Sequence, residues 1–277
     1  LGCGIVFTSP RPRESDMGSF YPQGYFSGYC SRSAKITFKK RLDLIKNFKR
    51  SGMVLDFGCS SGGFLKFLSE HGFDVKGVDA SDSAIELARR SGCDFCSNAD
   101  LKAVSFPDRS FDVICLFETL EHLFEPDKIL AEFRRIIKDD GVLVISVPNF
   151  GSIERHVLGR FWTGIDVPRH LFHFDKITLK DMVEAAGFKI KLLKDVASPE
   201  INDVGSNSSY SNGVRVMLRS LGLYRKQAHG RKAAIPDRLN ILKKLLRAIE
   251  SVFFYPFFIF AKITSRQATL VLVAEKA

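Results

Sequence analysis

Between Met53 and Val147 short apolar runs alternate with helical patterns, and this alternation restricts the fold more than any other feature of the chain. Met53–Phe57 reads as a short buried strand, followed by Phe64–His71 with Phe64, Leu65, Phe67 and Leu68 at helical spacing. Val75–Asp79 is a second strand, and Ser81 or Asp82 stands where it can cap a helix through Ala84, Ile85, Leu87 and Ala88. A weaker strand is expected near Cys93–Ser97. Phe111–Phe117 is a strong strand, Lys128–Ile137 an amphipathic helix closed by Asp139-Asp140-Gly141, and Gly141–Val147 the next strand, stopped by Pro148. Strands and helices in this rhythm predict an α/β chain with a parallel, doubly wound, Rossmann-like sheet covered on both faces.

After Pro148 the rhythm breaks. Asn149–Asp175 reads as irregular and rich in aromatics and histidine, Thr178–Ala186 as a helix ended by Gly187, and Phe188–Val196 as a strand. A polar loop and a basic helical stretch (Val214–Lys226) follow, then the apolar Leu239–Phe260 and a last strand, Ala268–Ala274. The expected organisation is an N-terminal arm and helix (1–50), a core (51–150), and a completing region (151–277) with two excursions, 151–175 and 197–267. Connections this long usually carry function, so both are assigned to a cap over the site.

Charge separates along the chain. The net +10 divides into about +7 for residues 1–50, −7 for 51–150 and +10 for 151–277. An acidic centre argues against nucleic acid as the partner of the core and suits a small-molecule site with basic appendages. Apolar residues at 45% and charged residues at 26% exclude a disordered or collagen-like chain. The six cysteines read as free thiols of a reducing, cytoplasmic compartment rather than staples. No apolar run reaches the roughly 18 residues of a membrane-spanning helix. Leu239–Phe260, with Lys243, Lys244 and Arg247 beside a Phe-rich tip, reads either as core or acceptor cap, or as an interfacial helix giving peripheral membrane contact. The chain as given starts on Leu1, which leaves open a targeting segment before it. The sequence sets no oligomeric state.

In a doubly wound sheet the ligand lies beyond the carboxyl ends of the strands, where the winding reverses. The loop there is Asp56-Phe-Gly58-Cys59-Ser60-Ser-Gly62-Gly63. Gly58 and Gly62 allow a tight turn and close backbone approach, and the following helix offers free amide donors. Asp79 ends the next strand, where a carboxylate can accept hydrogen bonds from both hydroxyls of a ribose. Ser60 stands where a dinucleotide fingerprint needs its second glycine, and Asp56 would repel a pyrophosphate but attract an ammonium group. A nucleoside with a cationic arm and no phosphate fits, and S-adenosyl-L-methionine is such a molecule.

These residues carry a family resemblance. Val54–Gly62, Gly77-Val-Asp79-Ala80-Ser81, Asn98-Ala-Asp100-Leu101, Phe111–Leu123 and Leu143–Asn149 stand in the order and spacing of the class I S-adenosylmethionine-dependent methyltransferases, which the chain resembles. The resemblance implies a seven-stranded sheet with an antiparallel last strand. It implies that Asp56, Gly58 and Gly62 hold the methionine arm, Asp79 the ribose, and Asp100 and Leu101 the adenine, that Phe117 lies beside the sulfonium, and that Cys59 and Ala80 also bind the cofactor. Asp100 taken alone could equally cap a helix. Trp162–Leu171, Phe174 and Leu179–Phe188 are similar to a bacterial subgroup often encoded with polysaccharide or secondary-metabolite genes. Cys3–Pro12 with Phe20–Tyr25 looks like the exit of a small zinc ribbon of which Cys3 alone survives, so no metal is expected there.

The implied reaction is methyl transfer to a small-molecule, glycan or lipid-linked acceptor. Trp162 and Arg169 are candidates for acceptor binding, and His122 and His170 for catalysis. His122 could act as a general base or could order its loop by a hydrogen bond. His170 and His173, with His156 upstream, have ligand-like spacing, but Pro168 opposes a regular helix and no carboxylate completes a metal set. Cys93 and Cys96 read as half-buried strand rather than a redox pair. The competing reading is a catalytically silent cofactor-binding module that docks on membrane or nucleic acid through its basic flanks.

Overall fold

The computed structural model describes residues 3–21, 32–98, 106–197 and 259–277. In chain order the elements are β1 (Val6–Phe7), α1 (Arg32–Lys46), β2 (Gly52–Phe57), α2 (Gly63–Ser69), β3 (Phe73–Asp79), α3 (Asp82–Arg90), β4 (Cys96–Asn98), β5 (Phe111–Phe117), α4 (Pro126–Ile136), β6 (Ile137–Pro148), α5 (Ile153–Leu158), β7 (Phe172–His173), α6 (Lys176–Ala185), β8 (Phe188–Val196) and β9 (Thr269–Lys276). Seven strands form one sheet in the order β4-β3-β2-β5-β6-β9-β8. β4, β3, β2, β5 and β6 run parallel, and β9 inserts antiparallel between β6 and β8. The seven-stranded α/β sheet with its antiparallel last strand is therefore the architecture expected from the sequence.

The period of the sequence explains the layers. Along β2 and β5, Leu55 and Ile114 face one side, where Leu130, Phe133 and Ile136 of α4 and Leu179 and Val183 of α6 bury against them. Val54, Val113 and Cys115 face the other, against Phe38, Leu42 and Ile45 of α1 and Phe64 and Leu68 of α2. Strands covered on both faces need no polar alternation, hence the unbroken apolar runs. Each fully buried Leu, Ile or Phe contributes about 1.5–3 kcal/mol. The Ser81 hydroxyl caps α3 by accepting from the Ala84 amide at 3.3 Å. Asp175 and Thr178 cap α6 reciprocally.

Several boundaries differ from the sequence reading, for physical reasons. β4 is Cys96–Asn98, displaced from the expected Cys93–Ser97 because Cys93 is drawn under the glycine loop, where its thiol donates to the Gly62 carbonyl at 3.6 Å. α4 starts earlier, at Pro126, whose missing amide is harmless in a first turn. β6 begins at Ile137, so Asp139-Asp140-Gly141 lies within the strand and not in a helix-closing loop. Its pairing with β5 is irregular between Phe111 and Val113, and Lys49 (2.6 Å) and Lys276 (3.1 Å) hold the two aspartates.

The stretch expected to be irregular, Asn149–Asp175, contains α5, two short 3-10 turns and β7. His170 and His173 share no helix, since His173 belongs to β7, paired antiparallel with β1. Asp100, Leu101, the basic stretch Val214–Lys226, all but the last residues of Leu239–Phe260 and most of the 197–267 excursion lie outside the described residues. Cys3 is exposed, and among the described residues no set of three ligating side chains gathers around it. No helix among them is long and apolar enough to cross a membrane.

Candidate functional site

The strand order reverses at β2, which has β3 on one side and β5 on the other. The loops leaving these three strands therefore open onto one crevice. They line a cavity of about 780 Å³, together with Phe38 and Arg41 of α1, Glu14, Met17, Gly18 and Tyr21 of the N-terminal arm, and His170. Cavities of roughly 300–1,000 Å³ hold cofactor-sized ligands.

The glycine loop is stitched to the end of β3. The Gly58 and Cys59 amides donate to the Val78 carbonyl at 2.8 and 3.1 Å, and the Ser60 amide donates to Asp79 Oδ2 at 2.8 Å. Asp79 Oδ1 accepts from the Ser81 amide at 2.9 Å, which leaves lone pairs on both oxygens for further donors. Burial raises the Asp79 pKa, opposed by the Ser81 and Ser60 amides. Gly58 (φ 84°) and Gly62 (φ 72°) are left-handed, and a Cβ on Gly58 would run into the Thr119 side chain. Ser60 is also left-handed, at φ 51°, so the departure from glycine leaves the turn in place at a cost of about 1–2 kcal/mol. Cys59, Cys93 and Cys96 pack with Leu65, Ile85 and Ala88 beneath the loop. Hydrogen bonding to Cys96 and burial push the Cys59 thiol upward, away from the thiolate that redox exchange needs.

Asp56, at 4% exposure, ends β2 beneath this loop. Burial lifts its carboxyl to about 7, with Arg41 pulling it down and Asp79 pushing it up. The Arg41 guanidinium lies 4.1 Å from the centroid of the Phe117 ring. Arg41 was not legible as a site residue, because it comes from a Lys- and Arg-rich helix with no motif of its own. Asp56, Gly58, Cys59, Asp79, Ala80 and Phe117 all line the cavity, and Gly62 forms the turn behind it.

At the far end a 3-10 turn, Leu120–His122, follows β5. His122 and His170 both line the cavity, with ring centroids 4.7 Å apart. The Leu171 amide donates to the Glu121 carbonyl at 2.8 Å, and the Thr8 hydroxyl to the His170 carbonyl at 2.7 Å, so the N-terminal arm, the 166–171 segment and the post-β5 turn brace one another. Glu121 lines the cavity beside the imidazoles and completes with them the carboxylate-and-histidine set that the sequence reading lacked. Its signal was a second carboxylate three residues after Glu118, directly after an apolar strand. His156 stands apart, bonded to the Ser152 carbonyl at 2.7 Å, while His173 stacks on Phe150 with its ring centroid 6.5 Å from that of His170.

Trp162 and Arg169 do not line the cavity. Trp162 is buried in a small cluster with Leu158, Phe150 and Ile165, because the Gly164 backbone passes under its ring. Arg169 pairs with Asp166 at 2.7 Å and lies 5.6 Å from the centroid of the Tyr21 ring, which does line the cavity.

Residues 31–193 match the model of a family described as a methyltransferase domain. A protein of Aspergillus luteorubrus named as a methyltransferase is 28% identical over 189 residues, covering 58% of this chain and 62% of that protein. The ubiquinone biosynthesis O-methyltransferase of Actinobacillus pleuropneumoniae is 31% identical over 123 residues, covering 39% of this chain and 52% of that enzyme. The chain thus spans roughly half to three fifths of the length of these relatives. The crystal structure of an S-adenosylmethionine-dependent methyltransferase from Archaeoglobus fulgidus superposes with a TM-score of 0.56 at 22% identity, over 92% of this chain and 97% of that one, a likeness of fold.

Proposed function

The chain belongs to the methyltransferase domain family, and from that premise we propose that it transfers a methyl group from S-adenosyl-L-methionine to a small-molecule, glycan or lipid-linked acceptor. One observation carries this reading: Asp56, the glycine loop, Asp79 and Phe117 converge on a single cavity of about 780 Å³ at the point where the sheet reverses. The Asp56 carboxylate answers the ammonium of the methionine arm, and Arg41 its carboxylate. Asp79 accepts from the ribose hydroxyls, and the Phe117 ring offers its face to the sulfonium.

The sulfonium supplies an activated methyl group. The chain's task is to align the acceptor in line with the S–CH3 bond and to keep water out. Phe117, Leu123 and Phe124 give the cavity an apolar wall, and His122 lines the same cavity. The arm residues Met17 and Tyr21 cover the same space, which supports a lid role for part of residues 1–50.

Isothermal titration tests the cofactor half. S-adenosylhomocysteine is expected to bind with one-to-one stoichiometry, and Asp79→Ala to weaken it at least tenfold by removing the ribose acceptor. Undiminished affinity in that variant, or preferential binding of NADH, would overturn the reading. An acceptor screen with methyl-labelled cofactor separates methyl transfer from a silent binding module.

A further inference from the structure

Glu121 is 1% exposed, and neither carboxylate oxygen has a hydrogen-bond partner. A buried carboxylate left in that state is costly, and the structure around it holds it there. His170 Nε2 lies 4.0 Å from Glu121 Oε1, and Glu121, His122 and His170 can each offer a ligating atom within 4.8 Å of the other two.

The two imidazoles are oriented alike. His122 Nδ1 lies 2.9 Å from the Arg169 carbonyl and His170 Nδ1 lies 2.8 Å from the Gly164 carbonyl. A carbonyl oxygen only accepts, so each Nδ1 carries a proton, and in the neutral ring each Nε2 then keeps its lone pair. A ring N–H fixed on a backbone carbonyl is the outer-shell arrangement that orients metal-binding histidines. Asp166 Oδ2 stands 3.8 Å from His170 Nε2, but Arg169 holds that carboxylate at 2.7 Å.

We propose that Glu121, His122 and His170 bind one divalent cation of the zinc type at the acceptor end of the cavity. Two imidazoles and a carboxylate suit zinc over magnesium, which prefers an all-oxygen shell. Three protein ligands leave a coordination position facing the cavity, the pattern of reactive rather than structural zinc sites. Ligand atoms around such an ion lie about 2.0–2.2 Å from it, so the cluster contracts on binding.

The ion's use rests on the methyl-transfer reading. An acceptor hydroxyl bound at the open position loses its proton to solvent more readily, because the cation stabilises the alkoxide. The alkoxide oxygen then forms the new O–CH3 bond as the S–CH3 bond breaks, its electron pair returning to sulfur to neutralise the sulfonium. The products are a methyl ether, S-adenosylhomocysteine and the proton released earlier.

The test uses the untagged full chain, stripped with a chelator and titrated with Zn²⁺ against a competing indicator. One equivalent is expected to bind, with affinity falling at least a hundredfold in Glu121→Gln and in His170→Ala and unchanged in His71→Ala, a solvent-exposed histidine elsewhere. Co²⁺ in place of zinc should give the strong visible bands of four- or five-coordination. Circular dichroism and S-adenosylhomocysteine titration on the same samples report folding and the cofactor site. The proposal fails if folded, cofactor-binding protein takes up no stoichiometric zinc, if both variants bind it as tightly as the parent, or if the cobalt spectrum is that of the hexaaqua ion. Stoichiometric zinc binding without cofactor binding would instead sink the methyl-transfer reading and leave the metal site standing.

Discussion

Asp56 lies within electrostatic reach of Asp79, Arg41 and the Cys59 and Cys115 thiols. Its carboxyl titrates near 7 in the folded chain against 3.8 when exposed, chiefly because burial penalises the charge. The folded state holds this proton between those two values, so the contribution of Asp56 to stability is fully present below about 4 and is lost as pH rises through about 7. Cofactor binding has the opposite slope. A cationic methionine arm favours the ionised carboxylate, so affinity should rise with pH up to about 7 and level off above it, approaching roughly tenfold per pH unit on the rising limb. Titration calorimetry in buffers of different ionisation enthalpy checks this. Proton release on binding near pH 6 is expected, and proton uptake would contradict the role given to Asp56.

Elements depend on contacts that single residues permit. In β3, Gly77 pairs with Asp56 on one side and Cys96 on the other. A Cβ there would press into the Leu65 side chain and lie 2.8 Å from Cys59 Sγ, so α2 and the glycine loop seat closely on β3 only because the position is bare. Gly77→Ala should cost about 1–3 kcal/mol, read as a lower urea midpoint with unchanged slope. A midpoint equal to the parent's would mean that the loop is free to move away. Strand and helix identity was the most legible level. β5 and β8 run from end to end where the sequence patterning puts them, β5 because a strand buried on both faces is written as a nearly continuous apolar run, β8 as an edge strand whose apolar residues are interspersed with lysines. β6 was legible only in part: Lys138, Asp139 and Asp140 follow its first residue, Ile137, and they lie between the two stretches that pair with β5, with Lys49 on Asp140 and Lys276 on Asp139.

For the molecule as a whole, a ligand that binds only the folded chain stabilises all of it. S-adenosylhomocysteine at a hundred times its dissociation constant should add about 2.7 kcal/mol to the unfolding free energy, and Asp79→Ala should abolish most of that gain at the same concentration. Thermal or urea unfolding with and without ligand measures it. The sequence alone was enough for the winding of the sheet and for the glycine loop, the Asp79 strand end and Phe117, which the fold brings to one cavity. Those features are local: a turn, a strand terminus and a residue directly after a strand stay together whatever the rest of the chain does. Arg41 over Phe117, the burial of Trp162 away from the cavity, and the meeting of Glu121 and His122 with His170 were decided by tertiary structure alone. Arg41 and Phe117, and the β5 turn and His170, are separated by tens of residues, and no periodicity encodes which of many polar side chains the β5 turn, the 166–171 segment and the N-terminal arm will bring to one buried spot.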